Sequence, residues 1–158
     1  MCRNCFFISF LLIGFLFVSC KKEEVAPQQQ IVSGLATLTQ KSFTPTVFDG
    51  GKPIKANVVQ DFEGTIGSLG KLTAVLNVEL DLVTGKSGQV SATYMDSSGD
   101  KINTLSSSIG SEKGLTISEK ITGGTGKFSN ISGGGTYFIN LDRNTGNGSG
   151  VLSWIVVY

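Results

Sequence analysis

The feature that most constrains this chain is a stretch of strict two-residue alternation from Lys71 to Val83. Leu72, Ala74, Leu76, Val78, Leu80 and Leu82 fall on one side, and Lys71, Thr73, Val75, Asn77, Glu79 and Asp81 on the other. In an extended chain such a pattern gathers the apolar set onto one face, whereas a helical period would scatter it around the whole circumference. Residues 71–83 are therefore predicted to form a strand with one face buried and the other mostly wet.

Seven further runs, 31–39, 57–66, 88–95, 101–109, 115–122, 135–142 and 149–158, read the same way. The breaks between them are turn chemistry: Thr84-Gly85-Lys86-Ser87-Gly88, Ser97-Ser98-Gly99-Asp100 and Asn144-Thr145-Gly146-Asn147-Gly148 supply residues that tolerate positive φ. Eight closely spaced strands without a convincing helical stretch predict an all-β domain, an antiparallel eight-stranded barrel, with a β-sandwich as the alternative. Residues 40–56, which contain Pro45 and Asp49-Gly50-Gly51-Lys52-Pro53, are the longest irregular piece, either a flap over one barrel end or a wide connection. The last strand, with Val151, Leu152, Trp154, Ile155, Val156, Val157 and Tyr158, offers apolar groups to both faces. Such a strand is either central in its sheet or turns one face to another subunit.

The N-terminal residues read as an address. Arg3 precedes fourteen largely apolar residues, Cys5 to Val18. That is the length of a signal peptide's apolar region, and short of the roughly 20 residues that span a bilayer. Phe17-Val18-Ser19-Cys20 resembles the lipobox of bacterial lipoproteins, although Phe17 stands where Leu is usual. The resemblance implies cleavage before Cys20 and acylation of its sulfur and new amino group, enough chains for a stable anchor. Residues 1–19 are then a lipoprotein signal peptide, 20–30 the lipidated Cys and a flexible tether, and 31–158 the barrel domain. Lys21-Lys22-Glu23-Glu24 looks like the charged signal that sends lipoproteins to the cell surface in one Gram-negative phylum; the plainer reading is a solvated spacer. The expected location is the bacterial outer membrane, exposed at the cell surface, with the membrane as partner through the acyl chains on Cys20.

Composition closes several classes of chemistry. The 158 residues include no His, and the three Cys are Cys2, Cys5 and Cys20, so the processed domain keeps neither a free thiol nor a disulfide. Ser or Cys nucleophiles activated by His are excluded, and transition metals lose both favoured ligand types. No metal site and no cofactor are expected. The carboxylate pairs Asp61/Glu63 and Glu79/Asp81 lie opposite the apolar face of their strands, where a solvated surface is the simpler account. A net charge of +1 offers no field for nucleic acid.

The glycine cluster Ile121-Thr122-Gly123-Gly124-Thr125-Gly126-Lys127-Phe128 fails as a phosphate loop. A Walker A motif would need Gly at Ile121 and Ser or Thr at Phe128. Gly124-x-Gly126 is followed by Ser129 where the dinucleotide fingerprint needs its third Gly. The segment does resemble the "GGTG-basic-F…G" signature of the allene oxide cyclase and dirigent superfamily. The likeness covers roughly residues 57–158 and takes in Phe62-Glu63-Gly64, the strand ending Asp81-Leu82-Val83-Thr84-Gly85, and Asp142-Arg143-Asn144-Thr145-Gly146-Asn147-Gly148. It implies an eight-stranded barrel with an apolar cavity, often a homotrimer, whose plant members steer reactive lipid or phenolic intermediates to one stereoisomer. It identifies no catalytic residue here. Gly123, Gly124 and Gly126 are read as a sharp backbone bend with Phe128 as a plug packed into the barrel. Trp154, Tyr137, Phe138 and Tyr94 are the candidate ligand-lining aromatics, each with core packing as its competing role. Three functions are compatible: a barrel that binds a small apolar ligand, which is favoured; an isomerase- or cyclase-like enzyme acting by cavity shape; and a structural or adhesive surface module with a filled interior.

Overall fold

The computed structural model describes residues 27–158; the expected signal peptide, Cys20 and Lys21-Lys22-Glu23-Glu24 lie outside the described residues. Eight antiparallel strands follow one another around a closed barrel: β1 (Gln29–Asp49), β2 (Lys52–Ile66), β3 (Gly70–Asp81), β4 (Val90–Asp96), β5 (Lys101–Ser111), β6 (Gly114–Gly124), β7 (Ser132–Leu141) and β8 (Gly148–Val157). Closure is made by β1 against β8, from Gln29↔Val157 to Leu38↔Gly148. Every connection is between neighbours, so short turns suffice. Gly85, Gly99 and Gly146 all adopt positive φ in the turns where the sequence places them.

The alternation in β3 is realised as read: Leu72, Ala74 and Leu76 are buried and the intervening residues exposed. The other face carries the paired carboxylates, held outward by lysines on neighbouring strands: Lys41–Asp61 at 2.9 Å, Lys71–Glu63 at 2.6 Å and Lys55–Glu79 at 3.0 Å. Such exposed pairs contribute little, about 0.2–1 kcal/mol each. Asp81 instead accepts the backbone N–H groups of Val83 and Thr84 and closes the turn after β3.

Residues 40–56 differ from the irregular connection expected. They continue β1 and β2 into a two-stranded ribbon beyond the barrel wall, paired as far as Asp49↔Lys52. Pro45 is tolerated because β8 pairs with β1 only up to Leu38, which leaves that edge of the ribbon without a neighbour to bond. Register shifts at Gln40/Ser42, Pro45/Val47 and Val47/Phe48 bend the ribbon.

The two barrel ends are filled differently. One end is packed with Val32, Ile66, Leu69, Leu72, Ile102, Ile121, Phe128, Ile131 and Val156, all buried. The short turns Gly67–Leu69 and Gly126–Phe128 cap it. Phe128 is thus inside, as the plug reading requires, and the bend that delivers it depends on Gly124. A Cβ there would lie 2.5 Å from the Phe128 carbonyl oxygen and 2.6 Å from that of Lys101. Above this floor Phe62, Tyr94 and Trp154 form an edge-to-face stack, with centroids 4.8 and 5.4 Å apart. Toward the opposite end the inward positions become small, including Ala56, Ser106, Ser108 and Gly148. The aromatic filling stops there.

Candidate ligand-binding site

That change of side-chain size leaves a cavity of about 740 Å³ in the half of the barrel nearest the ribbon. Its walls are mainly Leu38, Val58, Leu76, Val78, Leu115, Ile117 and Leu141, with Gln60, Ser106 and Ser108 among the polar positions. Phe43 at the root of the ribbon lies at the rim, together with Asp81, Glu112 and Arg143. The Arg143 guanidinium is held in place by donating to the Ser111 carbonyl at 2.7 Å. A concave, mostly apolar chamber with a few placed polar groups is the usual form of a small-molecule site.

Where the cavity meets the aromatic stack, Tyr94 and Tyr137 form its wall. Behind them is a buried carboxylate, Glu119, on the inward face of β6 between Ile117 and Ile121. Four donors from four strands converge on it. Glu119 Oε1 accepts from the Tyr94 hydroxyl at 2.7 Å and the Thr104 hydroxyl at 2.8 Å. Oε2 accepts from Trp154 Nε1 at 3.1 Å and the Tyr137 hydroxyl at 3.2 Å. Among the described residues no ion pair reaches this carboxylate. Burial pushes its pKa above the ordinary glutamate value, and the four donors oppose that rise without cancelling it. Desolvation, then the neighbouring charges, drive both tyrosines well above the usual phenol range. They are therefore neutral hydroxyls, each with its proton committed to Glu119 and its lone pairs available as acceptors.

The four candidate aromatics occupy three environments. Tyr94 and Tyr137 line the cavity. Trp154 is fully buried one layer deeper, against Tyr94 and Glu119. Phe138 is 38% exposed on the outer surface, because the residue after an inward Tyr137 must face out. Glu119 was not among the residues singled out from sequence. Its signal was present in Ile117-Ser118-Glu119-Lys120-Ile121, where the alternation that buries both isoleucines also buries the carboxylate between them. Among the described residues no three carboxylates or thiols cluster in a metal-binding arrangement.

No family model matches this chain, and neither a curated protein nor a solved structure was found to be similar to it. The site must therefore be read from its own chemistry.

Proposed function

We propose that this is a membrane-anchored lipoprotein of the bacterial cell envelope whose barrel binds a small apolar ligand. The observation that carries the reading is the apolar cavity, open at one barrel end and closed at the other by a dry core. The lipobox-like Phe17-Val18-Ser19-Cys20 supports the anchor, and Lys21-Lys22-Glu23-Glu24 supports export to the outer surface. The two ideas fit together geometrically. β1 begins beside the end of β8 at the closed end of the barrel, Gln29 against Val157. An anchor at Cys20, nine residues earlier, tethers the barrel by that end, and the cavity mouth is at the end farther from it.

A cavity-shaped isomerase or cyclase of the allene oxide cyclase kind is the second reading. It is favoured by the placement of Tyr94 and Tyr137 at the cavity's inner wall, with Glu119 bonded to both hydroxyls behind them. Native mass spectrometry of residues 31–158 without the lipid anchor tests the binding reading. A mass excess over an integral number of chains, lost on gentle activation, is the expected result. Bare protein that takes up no alkyl or aromatic compound would leave a structural or adhesive surface module as the better account.

A further inference from the structure

The Glu119 cluster defines what kind of head group the cavity accepts, an inference that rests on the ligand-binding reading above. Three facts combine. The carboxylate receives four hydrogen bonds, from three hydroxyls and the donor-only indole of Trp154, an arrangement that favours the anion against the burial that opposes it. No cation among the described residues neutralises it. The two groups between it and the cavity, Tyr94 and Tyr137, have spent their only protons on it and face a ligand as acceptors beside π-faces.

We propose that the cavity selects elongated amphiphiles whose leading group is a hydrogen-bond donor, an ammonium above all and a hydroxyl next, and rejects those led by a carboxylate. A buried negative charge under low-dielectric walls attracts a cation several ångströms away far more strongly than the same charge would in water. An anionic head would meet like charge and two oxygen acceptors. Its alternative resting place is Arg143 at the rim, with the chain directed inward, but Asp81 and Glu112 share that rim.

The protein carries its own reporter. Trp154 is its single tryptophan, fully buried and bonded to Glu119 Oε2. β1 to β8 close on themselves and contain the whole buried core, so the chain from Lys21 onward retains everything that folds the barrel. From that point it has twelve basic and twelve acidic residues, Arg3 being the one charge removed, so net charge biases no probe.

The experiment titrates Trp154 emission at pH 8 with decylamine, decanol and decanoate, each below its micelle concentration. Decylamine is expected to bind at least about ten-fold more tightly than decanoate, with decanol between them, roughly the effect of one well-placed charge. Glu119→Gln is expected to reduce the amine-to-carboxylate ratio to within about three-fold, the scale of residual chain effects. Equal binding of all three would mean that Glu119 only braces the barrel, and would overturn the proposal while leaving the cavity reading intact. Preference for decanoate would overturn it in favour of the Arg143 rim. Failure of all three to bind would remove the ligand-binding reading and this inference with it. The wild-type ranking decides the matter even where Glu119→Gln does not fold.

Discussion

Replacing Glu119 by leucine strands four buried donors at once: the hydroxyls of Tyr94, Thr104 and Tyr137 and the indole N–H of Trp154. Leucine fills the volume but accepts nothing, and each buried unsatisfied donor costs about 1–3 kcal/mol before relaxation. Glu119→Leu is expected to lower unfolding free energy by about 3–5 kcal/mol in urea denaturation, the range for breaking a buried polar cluster. Glu119→Gln keeps one accepting oxygen and is expected to lose less. The same residue gives stability a pH signature. Its folded pKa is raised, so its contribution is complete below the unfolded value, about pH 4.3. That contribution is lost as pH rises through the higher folded value. Asp81, Asp96 and Asp142 have lowered values, through bonds to Thr84, Lys127 and Asn144 respectively, and their contribution is lost in the opposite direction, on acidification. Melting curves from pH 3 to 8 should therefore show a decline above about pH 4.3 in wild type that Glu119→Gln lacks. The decline at lower pH should survive in both. An identical profile above pH 5 would show that Glu119 does not titrate as its burial requires.

At the scale of the element, β3 was legible because each inward position is aliphatic, so a period of two needs no context to be recognised. The ribbon made by the far ends of β1 and β2 was not. Pro45, Pro53 and Gly50-Gly51 are loop signals by local rule, and nearly every residue of the ribbon is exposed, so no burial pattern contradicts them. What makes these residues strands is pairing with each other across the Asp49–Lys52 turn, a non-local fact. The cavity was equally hidden, since a void depends on what the inward residues of several strands together leave unfilled, not on any one strand. The glycine bend after β6 was readable, because three glycines before a lone aromatic have few uses other than close backbone approach. At Gly124 two carbonyl oxygens, of Lys101 and Phe128, stand where a methyl would go. Neither is the end of a flexible side chain, so relief requires moving the turn that carries Phe128. Gly124→Ala is expected to cost about 2–3 kcal/mol, the scale of overpacking a fixed backbone. It should also loosen the Phe128 plug, which a fall in melting temperature together with greater dye uptake would reveal. A change below about 0.5 kcal/mol would show that the turn yields freely.

For the whole molecule, the distribution of charge over the outer wall is uneven. Asp61, Glu63, Lys71 and Glu79 stud the outer faces of β2 and β3. The outward positions of β7, β8 and the barrel part of β1 carry no charge from Ile31 to Thr37, from Thr136 to Asn140, or from Ser149 to Val157. Cross-strand partners there build a continuous apolar surface: Ile31 opposite Ile155, Leu35 opposite Val151, and Val151 opposite Phe138. Ile31 is 70% and Leu35 73% exposed, values at odds with an isolated barrel in water. Between the apolar pairs Ser33 and Ser153 bond to each other at 2.9 Å, which leaves the strip without a strong demand for water. Interface cores are depleted of charge in this way, and a surface lacking charge has no means of selecting a charged partner. A second copy of the same strip suits it best, so we propose that the barrel self-associates through β7, β8 and β1, as the homotrimer that the allene oxide cyclase resemblance implies. The cavity mouth lies at a barrel end, so association through the wall leaves ligand entry open. Sedimentation of the soluble domain at tens of micromolar is expected to give a trimer. Leu35→Lys with Ile155→Lys is expected to give a folded monomer, because both lysines remain solvated there and no inward contact changes. A wild-type domain that sediments as a monomer at that concentration would assign the strip to some other occupant, whereas a trimer that survives both lysines would place the subunit contact elsewhere on the wall.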